Sequence, residues 1–273
     1  MTVLPAETVR AARSLLFVPG SRPERFAKAA AAQPDVVILD LEDAVAPSDK
    51  DAARRHVESW LADGNAALVR INAADTRWYE QDLAMVGRLG AATMPAKAER
   101  PEHLARLAEV TSGAPVVPLV ETAAALAALG PLCAVGAVVR LAFGSIDLAN
   151  QLGVDPDDRE ALLTFRSMLV AASAAAGLAA PIDGVTRSFT EPDSVTDDFG
   201  YARRLGMGAK LCIHPAQVAA VHAAAAPSAA EVEWAQKVVS AAGDGSAVAL
   251  DGQMIDVPVV ERARRILRIA GAA

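Results

Sequence analysis

The chain has 273 residues, of which 53% are hydrophobic but only 4% aromatic, so Ala, Val, Leu and Ile must supply most of a core that suits parallel strands covered by helices. Its formal net charge of -7 argues against the basic face that is typical of nucleic-acid-binding proteins. No apolar run reaches the roughly 18 residues of a membrane-spanning helix and the N-terminus lacks the apolar stretch of a signal peptide, so we expect a cytoplasmic protein without a membrane partner.

Short apolar runs rich in β-branched residues alternate with longer stretches of helical character, which is typical of βα units. Eight such runs are predicted as strands: residues 14–18, 36–39, 67–71, 91–94, 116–120, 138–143, 181–185 and 209–213. Because no Gly- or Pro-rich linker separates two halves, the eight units favour an α/β fold of the (β/α)8 TIM-barrel type over residues 1–226. An open, doubly wound sheet is the alternative, since periodicity does not count strands reliably.

Residues 227–273 do not continue the repeating pattern. They predict a helix over 227–242, a short hairpin over 247–255 that turns at Asp251-Gly252, and a last helix opened by Pro258. This segment is too short to be an independent domain. We therefore interpret it as a C-terminal lid, made of helices and a hairpin, that packs on a barrel or on a neighbouring chain.

Polar residues follow nearly every predicted strand at its carboxyl end, which is the end that carries the chemistry in α/β barrels. They are Asp40, Glu42, Asp43, Arg70, Asn72, Lys97, Glu121, Ser145, Asp147, Asp183 and His214. Any one of them is ordinarily a helix cap or a solvated loop residue. So many charges converging on one rim are costly to desolvate, which favours an active site over a purely structural role.

Within this set, Glu121 and Asp147 are the best candidates for metal ligands, because Mg²⁺ takes one or two carboxylates and fills its other positions with water and substrate oxygens. The four histidines are scattered and the two cysteines are far apart, so zinc is not expected. Arg70 can hold a substrate carboxylate through two parallel hydrogen bonds. Its alternative is a salt bridge to Glu42 or Asp43, and the two roles are compatible.

The segment after the first predicted strand contains a Gly-Ser turn followed by three cations, Arg22, Arg25 and Lys28, at a helix start. Basic residues in a first helical turn are more often a solvated face, and they oppose the helix dipole. Because three of them occur together beside the turn, we interpret the segment as a site for a phosphate or a nucleotide.

Ordered motifs run along nearly the whole chain. They are RSLLFVPG at 13–20, DLEDAV at 40–45, VRIN at 69–72, LVET at 119–122, FGSIDL at 143–148, IDGV at 182–185, CIHPAQ at 212–217 and GQMIDVP at 252–258. With these motifs the sequence resembles the citrate lyase beta-subunit-like branch of the HpcH/HpaI aldolase superfamily, which includes malyl-CoA and citramalyl-CoA lyases.

The resemblance implies a (β/α)8 barrel whose Glu121 and Asp147 hold Mg²⁺, with Mn²⁺ as an alternative, and whose Arg70 and metal together hold a 2-oxo acid. It implies an acyl-CoA across the barrel mouth near Phe17, Arg22 and Lys28, with Glu42, Asp43 and Lys97 surrounding the metal and substrate ligands. Members are typically homotrimers or hexamers. In them the carboxylate that corresponds to Asp256 reaches a neighbouring subunit's active site on the lid. Its alternative here is a helix cap, since Pro258 follows closely.

The implied reaction splits a 3-hydroxyacyl-CoA of the malyl-CoA or citramalyl-CoA type into an acyl-CoA and a 2-oxo acid, or runs the reverse Claisen condensation. Asp256 is the candidate for proton transfer at carbon, and Arg70 for neutralising the developing oxyanion. Three alternatives stay open: a citrate lyase beta subunit that cleaves citryl-acyl carrier protein to oxaloacetate and the acetyl carrier, an aldolase of free hydroxy-oxo acids, and a non-catalytic acyl-CoA-binding protein.

Overall fold

Eight parallel strands form the centre of the fold. The computed structural model describes residues 3–189, 191–242, 248–250 and 253–271. The strands are β1 (Ser14–Pro19), β2 (Val36–Asp40), β3 (Leu68–Ile71), β4 (Thr93–Pro95), β5 (Leu119–Val120), β6 (Ala142–Phe143), β7 (Ile182–Asp183) and β8 (Ala209–Cys212). They are hydrogen-bonded in the order β4-β3-β2-β1-β8-β7-β6-β5. A parallel bridge between Thr93 and Val116 joins β4 to the segment before β5, so the sheet is a nearly closed barrel.

Helices follow the strands in the repeating order that the sequence predicts. They are α1 (Ala6–Ala11), α2 (Phe26–Ala31), α3 (Lys50–Ala62), α4 (Tyr79–Leu89), α5 (Pro101–Val110), α6 (Ala123–Ala127), α7 (Leu129–Cys133), α8 (Ser145–Leu152), α9 (Arg159–Ala175), α10 (Pro192–Arg204) and α11 (Ala216–Ala225). Each predicted apolar run overlaps one observed strand. The predicted (β/α)8 barrel is therefore confirmed, and the open-sheet alternative is wrong. No helix in the described ranges is both long enough and apolar enough to cross a membrane.

The buried core explains why the strands read as continuous apolar runs. Alternate strand residues such as Leu15, Ile38 and Leu68 belong to one buried cluster, which Val9 of α1 also joins. Their neighbours, such as Leu16, are buried as well, because the other face of a parallel strand is covered by helices. Polar side chains can therefore gather only where the strands end, and the carboxyl ends carry the candidate site.

The chain divides into two compact units, residues 1–222 and 223–273, and the division falls inside α11. The second unit contains α12 (Ala229–Ala241), β9 (Val248–Leu250), β10 (Gln253–Ile255) and α13 (Val257–Ala270). The strands β9 and β10 pair antiparallel, as predicted for a hairpin, while the predicted turn at Asp251-Gly252 lies outside the described residues. The unit has a small apolar cluster of its own, formed by Ala235, Val238, Ile255, Ala263 and Leu267.

Candidate active site

Two carboxylates come from adjacent strands at the carboxyl rim of the barrel. Glu121 directly follows β5 and is buried, whereas Asp147 lies in the first turn of α8, directly after β6, with a third of its side chain exposed. Between them, Gly144 makes room for the glutamate, because a Cβ at this position would lie 2.6 Å from Oε2 of Glu121. The close approach of backbone to carboxylate explains a glycine at this point of the chain.

Lys97, which follows β4, contacts both carboxylates and a third one. Its backbone has a φ of +46°, a left-handed conformation that is uncommon for a residue with a Cβ. This conformation aims its backbone N–H at Oε1 of Glu121, 2.7 Å away. Its Nζ donates to Oε1 of Glu42 at 2.9 Å and lies 3.7 Å from Oδ2 of Asp147. Lys97 thus ties β4 to the residues that follow β2, β5 and β6.

Arg70 of β3 is held by two carboxylates at the carboxyl end of β2. Its Nε and Nη2 donate to the two carboxylate oxygens of Asp40 at 2.7 and 2.6 Å, and its Nη1 lies 3.0 Å from Oε2 of Glu42. Its guanidinium also stacks over the ring of Phe17, 4.7 Å from the ring centre. The predicted salt bridge to Glu42 is confirmed. The structure gives Asp40, rather than Asp43, as the other partner, because the carboxylate of Asp40 ends the strand next to β3.

The electrostatic balance of this group is negative. Burial raises the pKa of Glu121 to about 8, and the nearby charges of Glu42 and Asp147 add to that effect. For Arg70, burial opposes the charge, yet Asp40 and Glu42 outweigh it and hold the pKa above its ordinary value. A further positive charge would therefore stabilise the ionised carboxylate of Glu121, even though Arg70 and Lys97 are already close to it.

This donor set fits Mg²⁺. Glu121 and Asp147 offer hard carboxylate oxygens from two adjacent strand ends, and Glu121 in particular lacks a full counter-charge. Within the described ranges, no group of three or more His, Cys, Asp and Glu side chains is arranged to enclose a metal. An ion held by two carboxylates, with water and substrate completing its coordination, is typical of magnesium rather than of structural zinc.

Two adjoining clefts lie beside β1. One, of about 380 Å³, is lined mainly by apolar residues that include Phe17, together with Arg25 and Lys28. The other, of about 540 Å³, is polar and is lined by Arg22 and again by Arg25. Because Phe17 also stacks on Arg70, the first cleft adjoins the guanidinium that the two carboxylates hold.

Comparisons with known proteins identify the family. The sequence model described as HpcH/HpaI aldolase/citrate lyase matches residues 13–215. The chain belongs to this family. A citrate lyase subunit beta-like protein of Mycobacterium tuberculosis is 37% identical over 266 residues, which cover 94% of this chain and 95% of that protein. A (3S)-malyl-CoA thioesterase of Cereibacter sphaeroides is 31% identical, with 95% of each chain covered.

Solved structures of the HpcH/HpaI aldolase/citrate lyase family share the fold over the whole chain. The CitE protein of Mycobacterium tuberculosis in complex with magnesium, acetoacetate and coenzyme A has a TM-score of 0.85 and 36% identity, with 96% of this chain and 99% of that chain covered. A citrate lyase beta subunit from the same organism, complexed with oxaloacetate and magnesium, has a TM-score of 0.72 and 35% identity, with coverages of 81% and 100%. The family is therefore one of citrate lyase and aldolase enzymes, and these two solved structures contain magnesium.

The remaining predicted residues of this family member lie in different places. Asp43 is exposed, and its backbone N–H donates to Oε2 of Glu42 at 3.0 Å. Asp183 is buried against Arg166 and Lys210, away from the carboxylates described above. Asp256, in the second unit, is the N-cap of α13: its Oδ1 accepts from the backbone N–H of Val259 at 3.3 Å. The predicted cap is confirmed, and a catalytic role for Asp256 stays a prediction.

The structure adds a role for Asp40, which the sequence left without one, and distinguishes Arg25 from the other two cations of the predicted phosphate site. Asp40 carries the two-point contact to Arg70, and its signal was the DLED motif, in which it is the first acidic residue. Arg25 lines both basic clefts, whereas Arg22 is exposed and lies 4.0 Å from Glu24. The sequence showed three cations there, but their spacing did not indicate which of them faces two clefts.

Proposed function

We propose that this protein is a magnesium-dependent carbon-carbon lyase that splits a 3-hydroxyacyl-CoA of the malyl-CoA or citramalyl-CoA type, or forms it in the reverse Claisen condensation. The observation that carries the proposal is the buried carboxylate of Glu121, whose charge lacks full compensation, beside Asp147 and next to the guanidinium of Arg70 that Asp40 and Glu42 hold. Such a rim suits a substrate that carries a carboxylate and develops an oxyanion.

Glu121 and Asp147 would hold the Mg²⁺, which when bound supplies Lewis-acid polarisation of the oxo group. Mn²⁺ suits the same oxygen donors. Lys97 keeps one oxygen of Glu121 engaged through its backbone N–H, so the other oxygen stays available to a cation. The charge of Lys97, beside Asp147 and Glu42, limits the repulsion among the three carboxylates.

Arg70 would bind the carboxylate of the 2-oxo acid. Its Nε is engaged by Asp40, but Nη1 and Nη2 each carry a second N–H that can donate to a substrate oxygen. During cleavage a general base takes the proton of the C3 hydroxyl, the bond between C2 and C3 breaks, C3 becomes the oxo carbon, and the electron pair of the broken bond forms a thioester enolate. Arg70 neutralises charge at the oxo-acid half. That a solved relative holds oxaloacetate, a 2-oxo acid, with magnesium supports a substrate of this class.

The acyl-CoA would bind through the two clefts beside β1. Phe17 offers an apolar surface between the first cleft and Arg70, while Arg22, Arg25 and Lys28 can meet phosphate groups. The overall charge of -7 makes these local cations important for an anionic cofactor. The coenzyme A in the solved complex of a relative with 36% identity supports the proposal.

Asp256 would transfer the proton at the enolate carbon, acting from the second unit of a neighbouring chain in a homotrimer or hexamer. To test this, Asp256→Asn subunits are mixed with Asp147→Asn subunits, each inactive alone, and subunit exchange is verified before the assay. Partial recovery of activity is expected, since some sites then pair an intact metal site with an intact Asp256. No recovery despite exchange would assign Asp256 to its own chain or to capping alone.

The reaction itself is tested with Mg²⁺ and a panel of malyl-, methylmalyl-, citramalyl- and citryl-thioesters of CoA and of acyl carrier protein. We expect a 2-oxo acid and a shortened acyl-CoA, identified by mass. Free CoA thiol with intact hydroxy acid would instead indicate hydrolysis, the activity in the name of the Cereibacter sphaeroides relative. Turnover of citryl-acyl carrier protein alone would favour a citrate lyase beta subunit, and magnesium and CoA binding without any product would favour a non-catalytic protein.

A further inference from the structure

A buried ammonium group lies directly behind the carboxylates that hold Arg70. Lys50, the first residue of α3, is buried, and its Nζ donates to three oxygens: the carbonyls of Leu41 and Glu42 at 2.6 and 2.8 Å, and Oδ1 of Asn72 at 2.6 Å. An ammonium has three N–H donors, so all of them are used.

The same network continues outward to α4. The side-chain amide of Asn72 donates to the carbonyl of Leu41 at 2.9 Å and to Oδ2 of Asp82 at 2.6 Å. Asp82 also accepts from Nε of Arg54 at 2.9 Å, and both Asn72 and Asp82 are buried. Lys50 and Asn72 therefore fasten the chain after β2 to α3 and α4 through a chain of charged and polar contacts.

The two carbonyls that Lys50 engages belong to the segment between Asp40 and Glu42. This segment lies beyond the strand. The carbonyl of Leu41 also accepts from the side-chain amide of Asn72, and that of Glu42 from the backbone N–H of Val45, so Lys50 adds a charged donor to each of them. With them fixed, the carboxylate of Glu42 is set where it meets both Nη1 of Arg70 and Nζ of Lys97. Lys50 is therefore linked to Arg70 and Lys97 through the backbone and the carboxylate of Glu42.

We propose that Lys50 is a positioning residue: by holding the carbonyls of Leu41 and Glu42, it places the Asp40 and Glu42 carboxylates and so orients Arg70 towards the substrate carboxylate. The orientation of Arg70 follows from the geometry, while its consequence for a 2-oxo acid rests on the proposed function. Lys50 contacts neither Glu121 nor Asp147 directly and reaches them only through Glu42 and Lys97, so its effect should be largest in the carboxylate-binding half of the site.

The test compares Lys50→Met with Lys210→Met. Each variant replaces a buried lysine whose Nζ donates to a side-chain oxygen and to backbone carbonyl oxygen. The partners of Lys210 are the carboxylate of Asp183 and the carbonyl of Gly184, not residues around Arg70. Affinities for pyruvate, in the presence of Mg²⁺, and for Mn²⁺ are measured by calorimetry. We expect Lys50→Met to weaken pyruvate binding about tenfold and to keep the Mn²⁺ affinity within about twofold, whereas Lys210→Met leaves both affinities near wild type even if it lowers thermal stability.

A second readout needs no ligand. We expect the Nε–H signal of Arg70 in an NMR spectrum, assigned by its loss in Arg70→Lys, to exchange slowly with water in wild type, because this group donates to Asp40. In Lys50→Met we expect this protection to fall or the signal to shift, and in Lys210→Met to stay. If Lys50→Met fails to fold, Lys50→Gln, which keeps two donors, is measured instead.

Unchanged pyruvate affinity together with an unchanged Arg70 signal would overturn the proposal and leave Lys50 a purely structural residue. If wild type binds no pyruvate or other 2-oxo acid, the proposed function fails, and the Arg70 signal alone decides the inference: a lost signal in Lys50→Met upholds the positioning of Arg70, and a retained one rejects it.

Discussion

Two clusters of charge lie at the carboxyl ends of the barrel strands, and they differ in electrostatic balance. In the closed cluster, formed by Arg166, Asp183 and Lys210, the two oxygens of Asp183 accept from Nε of Arg166 at 2.8 Å and Nζ of Lys210 at 2.9 Å. Burial alone would raise the pKa of Asp183, but the charges and hydrogen bonds of Lys210 and Arg166 outweigh it and lower the pKa. Each carboxylate oxygen of Asp183 therefore accepts a hydrogen bond from a cation.

The open cluster, formed by Glu42, Arg70, Lys97, Glu121 and Asp147, has the opposite balance. Here burial and neighbouring carboxylates raise the pKa of Glu121 to about 8, although Arg70 and Lys97 are close. In the sequence, Asp183 and Glu121 look alike, because each is a carboxylate that ends or directly follows a strand. A charge at the rim therefore indicates a functional site only when its partners leave it incompletely neutralised.

The largest expected effect is the loss of activity on Asp147→Asn. An amide keeps the shape but removes the charge that would hold Mg²⁺, so we expect turnover to fall roughly a thousandfold while the fold is kept. Steady-state kinetics and Mn²⁺ binding measure the two effects. Asp157→Asn, at an exposed aspartate that pairs with Arg187, is the matched control and should stay near wild type. Wild-type metal affinity in Asp147→Asn would contradict the assignment.

The closed cluster should respond in stability. Asp183→Asn leaves Arg166 and Lys210 buried without their shared anion, at an expected cost of about 3–5 kcal/mol in the free energy of unfolding. Because the pKa of Asp183 is lowered from 3.8, its stabilisation is present above that pH and is lost as the pH falls through the folded value. Urea unfolding should therefore show a constant penalty from pH 8 to pH 5. A penalty that already shrinks between pH 7 and pH 5 would contradict this.

The cations that line the two clefts beside β1 also differ in whether they are paired with a carboxylate. Arg25 and Lys28 have no ion-pair partner among the described residues, whereas Arg22 lies near Glu24. We expect Arg25→Gln combined with Lys28→Gln to raise the KM for the CoA thioester about tenfold, since distant phosphate contacts supply mainly uniform binding. Arg22→Gln should have a smaller effect. Equal increases in the KM for the 2-oxo acid would indicate a misplaced site or damaged folding.

The smallest effect has the opposite sign to that of Asp183. Glu121→Gln, measured with a chelator present, removes a buried charge whose cost begins above its unfolded pKa near 4.5 and grows until about pH 8. We expect a gain of the order of 1 kcal/mol, or a few degrees in Tm, at pH 8, and less at pH 5. Thermal unfolding at the two pH values checks this, and a loss of stability at pH 8 would place Glu121 in a satisfied cluster after all.

The sequence by itself determined the barrel, the family and the set of rim residues. Parallel strands are buried on both faces, so each strand is a local apolar run, and the polar residue that ends it is also local. The cap formed by Asp256 was readable for the same reason, because it bonds a residue three positions later.

Only the tertiary structure decided which rim charges are neutralised and which are not. The partner of Arg70 proved to be Asp40, thirty positions away, and Lys97 meets Glu42 across fifty-five positions. The sequence identifies Lys50 only as a helix residue, because its three oxygen partners come close to it only in the folded chain. Pairing and burial set the energy of a charge, and both depend on which strands become neighbours, a property that no local pattern contains.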